Sequence, residues 1–341
     1  ALVLAAVFFL RYSIDHGWLA PPVRFVIGLI TGIGLLVVCE LKVARNYRIT
    51  TNSLDAAAIA ILFATFFAAH ELWHLIPSGV AFGFMALVTA TAVLLSLRRD
   101  SLFIAVLGLL GGFATPALLS TGENRPIPLF AYLLLLNIGL AWVANRQVWP
   151  VLTWLTLGLT TLYQVVWVAR FLDASQLPLA MGVFLVFPLA AAGGLLLSGR
   201  SPEDPSAPAR SFSQTAMLSA VVPLIFVAYL SSVPEFGANA ALLLGFLLIV
   251  DAGLMAIAIA RRMPITHALG ALGTIVVLGV WVTNSYVMEE GWKPALIFTS
   301  GLSATWTQTW TCGEPRKYHT NAGPSTRQLS HTPSSPMSSS A

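Results

Sequence analysis

The chain has 341 residues, of which 57% are hydrophobic and 9% charged, with a formal net charge of +4 and a mean hydropathy of +0.81. Soluble domains carry about 25% charged residues, and 18 Lys+Arg with 14 Asp+Glu cannot clothe a globule this rich in aliphatic side chains, so a water-soluble fold is excluded and lipid must be the solvent. The basic residues lie scattered between apolar runs with no aromatic-lined stripe, which excludes a nucleic-acid partner. Cys39 and Cys312 form neither a disulfide framework nor a metal cluster.

A helix needs about 20 mostly apolar residues to cross roughly 30 Å of hydrocarbon, and it is the open-chain shape that satisfies its own backbone there. The runs predict an all-α polytopic membrane bundle of about eleven to twelve transmembrane helices. In order they are Ala1 to Leu10, Val23 to Leu41, Leu54 to Ile76, Gly79 to Leu97, Leu102 to Leu119, Ile127 to Ala144, Trp149 to Ala169 and Leu177 to Ser198. Then follow Phe212 to Ser231, Ala238 to Ala260, Ile265 to Val287 and a weak run from Trp292 to about Trp310. The first begins inside an apolar stretch without an initiator Met or charged leader, which reads as a chain entered partway through a span.

Four regions result: a bundle of eight spans over 1–198, a cytoplasmic linker over 199–211, three to four further spans over 212–311, and a tail over 312–341. The linker carries Pro202, Glu203, Asp204, Pro205 and Pro208 and marks a boundary between two bundles. The tail is rich in Ser, Thr and Pro and is expected to be disordered. Its abrupt onset inside an unfinished apolar run reads as out-of-frame sequence.

Loop charge sets the orientation, because cytoplasmic loops retain Lys and Arg. One alternate set of loops holds ten basic residues, Lys42, Arg45, Arg48, Arg98, Arg99, Arg146, Arg200, Arg210, Arg261 and Arg262. The other holds five, Arg11, Arg24, Arg125, Arg170 and Lys293. The richer side is expected to be cytoplasmic.

Three features bear on chemistry. His70-Glu71-Leu72-Trp73-His74 fits H-E-x-x-H, in which two imidazoles one helical turn apart share a zinc ion and Glu71 serves as general base. A third ligand would have to come from Asp15, His16, Glu123, Asp173, Glu235, Glu289 or Glu290, none of which sits in a second recognisable motif; the alternative is an interfacial cluster ending a helix before Pro77 and Gly79. Asp251 is the carboxylate well inside a span and is a candidate ion or proton site, since a charge there costs about 2.5 kcal/mol or more unless paired or protonated. The bland alternative is a neutral acid bonded to Asn137, Gln164 or Asn284. Finally, Gly28 and Gly32, and Gly108, Gly111, Gly112, Thr115 and Pro116, combine close-packing glycines with a proline able to break a helix, as Pro188 and Pro223 also are. Broken helices line many transporter sites.

Two passages carry a resemblance. They are Phe8-Phe9-Leu10-Arg11-Tyr12-Ser13-Ile14-Asp15-His16-Gly17-Trp18-Leu19 and Leu107-Gly108-Leu109-Leu110-Gly111-Gly112-Phe113-Ala114-Thr115-Pro116-Ala117-Leu118-Leu119-Ser120-Thr121-Gly122. Both resemble the polytopic bacterial membrane proteins catalogued as domain of unknown function 2339, over Ala1 to about Ser303. The resemblance implies architecture and a bacterial inner-membrane location, and supplies no reaction. It implies a structural or pathway role for Gly108, Gly111, Gly112, Thr115 and Pro116, and it has no zincin pair at His70 and His74.

The leading expectation is a non-enzymatic transporter-like or envelope-scaffold protein without cofactor, its partners being the lipid bilayer and a small-molecule or ion ligand between helices. The alternative is a membrane-embedded zinc hydrolase using His70, Glu71 and His74. No nucleotide-binding loop is present in the sequence, so transport would be gradient-driven or partner-dependent.

Overall fold

A computed structural model describes residues 20–40, 48–120, 122–197, 207–261, 264–284, 293 and 295–300. These residues are almost wholly α-helical, with no strand among them. The helices are α1 (Pro21–Glu40), α2 (Arg48–Glu71), α3 (Ser78–Arg99), α4 (Leu102–Leu118), α5 (Pro126–Gln147), α6 (Pro150–Phe171), α7 (Leu177–Leu197), α8 (Ala207–Ser232), the one-turn α9 (Pro234–Gly237), α10 (Ala240–Arg261) and α11 (Pro264–Asn284). Proline opens α1, α5, α6 and α11, where its fixed φ suits the first turn and its missing N–H has no helical partner to lose.

Seven of these helices are long and apolar enough to cross a membrane, and Leu102–Leu118, Ala240–Met255 and Ala268–Asn284 are shorter apolar helices. The expected eleven to twelve spans are therefore not all present among the described residues. Ala1 to Leu10 lies outside them, as does most of Trp292 to Trp310. The tail at 312–341 and most of the 199–211 linker also lie outside them.

The helices alternate in direction. At one end Arg98 and Arg99, closing α3, meet Glu40, closing α1, at 3.3 and 3.5 Å. Gln147, closing α5, donates to the Leu97 carbonyl at the same end. At the far end Asn124, before α5, donates to Gln176, before α7, and accepts from Trp167 of α6. Apolar side chains cover the outside: Leu135 is 69% exposed and Ile275 66%, as lipid-facing positions require and a watery surface would not tolerate in such number.

The core falls into two clusters. A smaller one joins α2, α3 and α4 around Ile59, Met85 and Ile104. The larger runs from Leu109 of α4 through Leu133, Phe184 and Leu230 to Trp281 of α11. It is continuous across the linker positions, since α7 and α8 pack together.

Glycines supply the close approaches. A Cβ on Gly108 would stand 2.7 Å from the Ala92 Cβ, one on Gly112 2.8 Å from Thr89 Cγ2, and one on Gly32 2.6 Å from Leu62 Cδ2. Gly28 lies against Thr65 and Gly111 against Phe63 in the same way. The prolines do not break their helices: α7 runs through Pro188 and α8 through Pro223, and α4 passes Pro116 before ending at Leu118. Neighbouring helices stabilise such interruptions by supplying the lost donors.

Candidate functional site

The most developed site is a cavity of about 100 Å³ among α5, α6, α7 and α8. α5 packs against both α6 and α7, and α8 packs against the same two. The four helices thus form a ring around a space that none of them fills. α6 contributes Thr153, Thr156, Thr160 and Gln164. Their spacing of three, four and four residues places them on one helix face, and Thr156, Thr160 and Gln164 are buried. Asn137 and Asn145 enter from α5, Thr215 and Ser219 from α8, and Pro188 with Gly194 from α7.

The hydrogen bonds divide these groups into committed and open ones. Thr156 donates to the Leu152 carbonyl, Ser219 to Ala216, and Asn145 to Ala141. Asn137 Nδ2 donates to the Leu133 carbonyl at 2.9 Å and to Thr160 Oγ1 at 2.8 Å, bridging α5 and α6 near the middle of each. Thr215 Oγ1 reaches Thr153 Oγ1 at 3.4 Å. Gln164 is 2% exposed, lines the cavity, and its amide has no hydrogen bond among the described residues. Phe187, which also lines the cavity, belongs to a cluster of aromatic rings. Trp167 stands edge-on to Phe130 at 5.4 Å, and Phe130 to Phe187 at 6.3 Å. The cavity therefore extends from mid-helix toward the end that carries Arg146.

The signal for this site was present in the sequence as the Thr153, Thr156, Thr160, Gln164 stripe inside an apolar run. It was overlooked because neutral polar residues match no catalytic motif. Asn137 and Gln164 do not meet Asp251. Instead Thr274 Oγ1 donates to Asp251 Oδ2 at 2.6 Å, linking α11 to α10, while Asn284 donates to the Val280 carbonyl in its own helix.

The His70 to His74 segment does not form the geometry its pattern requires. α2 ends at Glu71, and His74 adopts a left-handed φ of 49°, so the two imidazoles are not one turn apart on a helix. His70 Nδ1 donates to the Ile76 carbonyl at 3.0 Å, and its Nε2 lies 3.7 Å from Glu71. No group of three His, Cys, Asp or Glu able to hold a metal occurs among the described residues. Asp15, His16, Glu289 and Glu290 lie outside them.

A carboxylate that the sequence reading passed over is Asp55. It sits two turns into α2, is fully buried, and accepts from Arg99 Nε at 3.0 Å. Arg99 also donates to the Cys39 carbonyl at 2.8 Å, so one guanidinium ties the starts and ends of α1, α2 and α3 together.

The Pro116 region is also clamped. Proline has no N–H for the carbonyl four residues earlier, and that carbonyl, Gly112, accepts from the Tyr132 hydroxyl of α5 at 3.0 Å. The adjacent Phe113 carbonyl accepts from Tyr163 of α6. Thr115 Oγ1 donates to the Gly111 carbonyl at 2.8 Å.

The family profile described as predicted membrane protein (DUF2339) matches residues 1–235. The chain belongs to the DUF2339 family. It is a multi-pass membrane protein of a family whose function is unknown, and the match ends short of the Ser303 expected from the resemblance. No curated protein and no solved structure matches the chain. Within the DUF2339 match fall the Pro116 clamp, the Asp55–Arg99 pair and all four helices of the cavity, whereas Asp251 and α11 lie beyond it.

Proposed function

We propose that this DUF2339 protein is a non-enzymatic, transporter-like protein of the bacterial inner membrane, with its ligand held between α5, α6, α7 and α8. The observation that carries the reading is a cavity at membrane depth, largely apolar, into which a few polar side chains converge, Gln164 among them with no hydrogen bond to protein among the described residues. Ligand sites combine a mostly apolar lining with a few such polar groups. In this account the chain crosses the membrane eleven or twelve times and the Arg146 end faces the cytoplasm. Asp251 is the candidate for coupling to a proton or cation. The zinc-hydrolase and scaffold readings have no comparable geometric support.

The test is solute uptake into vesicles reconstituted with purified protein, followed by stopped-flow light scattering across a panel of neutral and charged small solutes. At least one solute should enter faster than in protein-free vesicles, and Asp251→Asn should change the response to an imposed pH gradient. Vesicles indistinguishable from protein-free ones for every solute would refute the transport reading. Unaltered gradient response in Asp251→Asn would remove the coupling role.

A further inference from the structure

We infer that the cavity selects a small, uncharged solute that both donates and accepts hydrogen bonds, of about four heavy atoms, with Gln164 as its specificity anchor. For the transport assay this rests on the reading above; the ligand class itself is read independently by binding. Three observations carry it.

The first is charge. No Asp, Glu, Lys, Arg or His lines the cavity among the described residues. An ion entering at this depth would lose its hydration and meet no counter-charge, so the lining discriminates against both signs.

The second is the pattern of unused hydrogen-bonding capacity. Gln164 offers a carbonyl and an NH₂ group. Thr160 lies one turn away on the same face; its oxygen accepts from Asn137, and no acceptor for its own hydrogen occurs among the described residues. Asn137 spends its NH₂ group on Leu133 and Thr160 and keeps its carbonyl oxygen as an acceptor. Donors and acceptors therefore converge at mid-membrane, as a primary amide or similar neutral solute requires. A purely apolar ligand would leave them unbonded.

The third is size. A protein cavity of about 150 Å³ takes a six-carbon ring, so a cavity of about 100 Å³ suits roughly four heavy atoms. Phe187 lines the cavity as well, with Phe130 edge-on to it and Trp167 edge-on to Phe130.

Acetamide, acetate and acetamidinium provide the test, since they share four heavy atoms and a planar shape and differ in charge. Saturation-transfer NMR on the detergent-solubilised full chain should show transfer to the acetamide methyl and none to the other two. Gln164→Leu should weaken acetamide binding about fivefold, the equivalent of one lost hydrogen bond, while leaving helix content and gel-filtration profile unchanged. Thr160→Val is the second variant, should Gln164→Leu fail to fold, and should weaken acetamide in the same direction. Vesicles containing wild-type protein should pass acetamide faster than those with Gln164→Leu, and exclude acetamidinium. Equal transfer to a charged analogue, or acetamide binding indifferent to both variants, overturns the inference while leaving transport standing. Gln164-dependent acetamide binding without any flux upholds the ligand class and overturns transport instead.

Discussion

Replacing Tyr132 by Phe deletes one oxygen, and its effect should depend on a residue in a different helix. The Tyr132 hydroxyl donates at 3.0 Å to the Gly112 carbonyl, the group that Pro116 deprives of its helical partner. Interhelical hydrogen bonds in membrane proteins average only about 0.6 kcal/mol, because the carbonyl usually has another donor to fall back on. Here the fallback is missing and Gly112 is buried, so the cost approaches that of an unsatisfied buried acceptor, about 1–2 kcal/mol. In a Pro116→Ala background the N–H at position 116 returns to that carbonyl, and Tyr132→Phe should then cost about 0.5 kcal/mol or less. The coupling energy of the cycle is therefore expected near 1 kcal/mol. Reversible unfolding by SDS titration of the protein in mixed micelles, followed by circular dichroism, measures each corner. An equal loss from Tyr132→Phe in both backgrounds would refute the idea that the tyrosine substitutes for the proline's absent donor.

Arg99→Met should destabilise the same assay by about 3–5 kcal/mol, since it strands a fully buried Asp55; the double variant with Asp55→Leu should recover most of that loss. Arg98→Met, whose pair with Glu40 is 70% and 42% exposed on its two side chains, should change stability by less than about 1 kcal/mol. Val148 closes α5 with a φ of 56°, a conformation costly for a β-branched residue, so Val148→Gly should stabilise by about 1 kcal/mol. Gly108→Leu drives a side chain into Ala92 of α3 and should lower the unfolding midpoint by the equivalent of about 1–3 kcal/mol, whereas Gly139→Leu, with open space around it, should leave it nearly unchanged.

Much of the fold was legible because the bilayer imposes a simple rule: a long apolar run must become a helix. The runs beginning at Val23, Gly79, Ile127 and Trp149 correspond closely to α1, α3, α5 and α6. Glycines of the second and fifth predicted spans lie close against neighbouring helices. The H-E-x-x-H spacing presumes a continuing helix, whereas α2 stops at Glu71 with His74 turned left-handed, which the order of residues alone does not reveal. Asp55 stands at the margin of a predicted span, and its burial and its pairing with Arg99 of α3 appear only in the packed structure.

Composition and periodicity alone determined that this chain lives in lipid, that it folds as helices, and roughly where each begins and ends, because those properties depend on local hydrophobicity and backbone satisfaction. Which helices are neighbours was decided by tertiary structure. The Tyr132 hydroxyl at Gly112, Arg99 against Asp55, and the ring of α5 to α8 around Gln164 all join residues tens of positions apart. Such pairings arise from side-chain shape and from the demand of each buried polar group for a partner, and neither leaves a periodic trace in the order of residues.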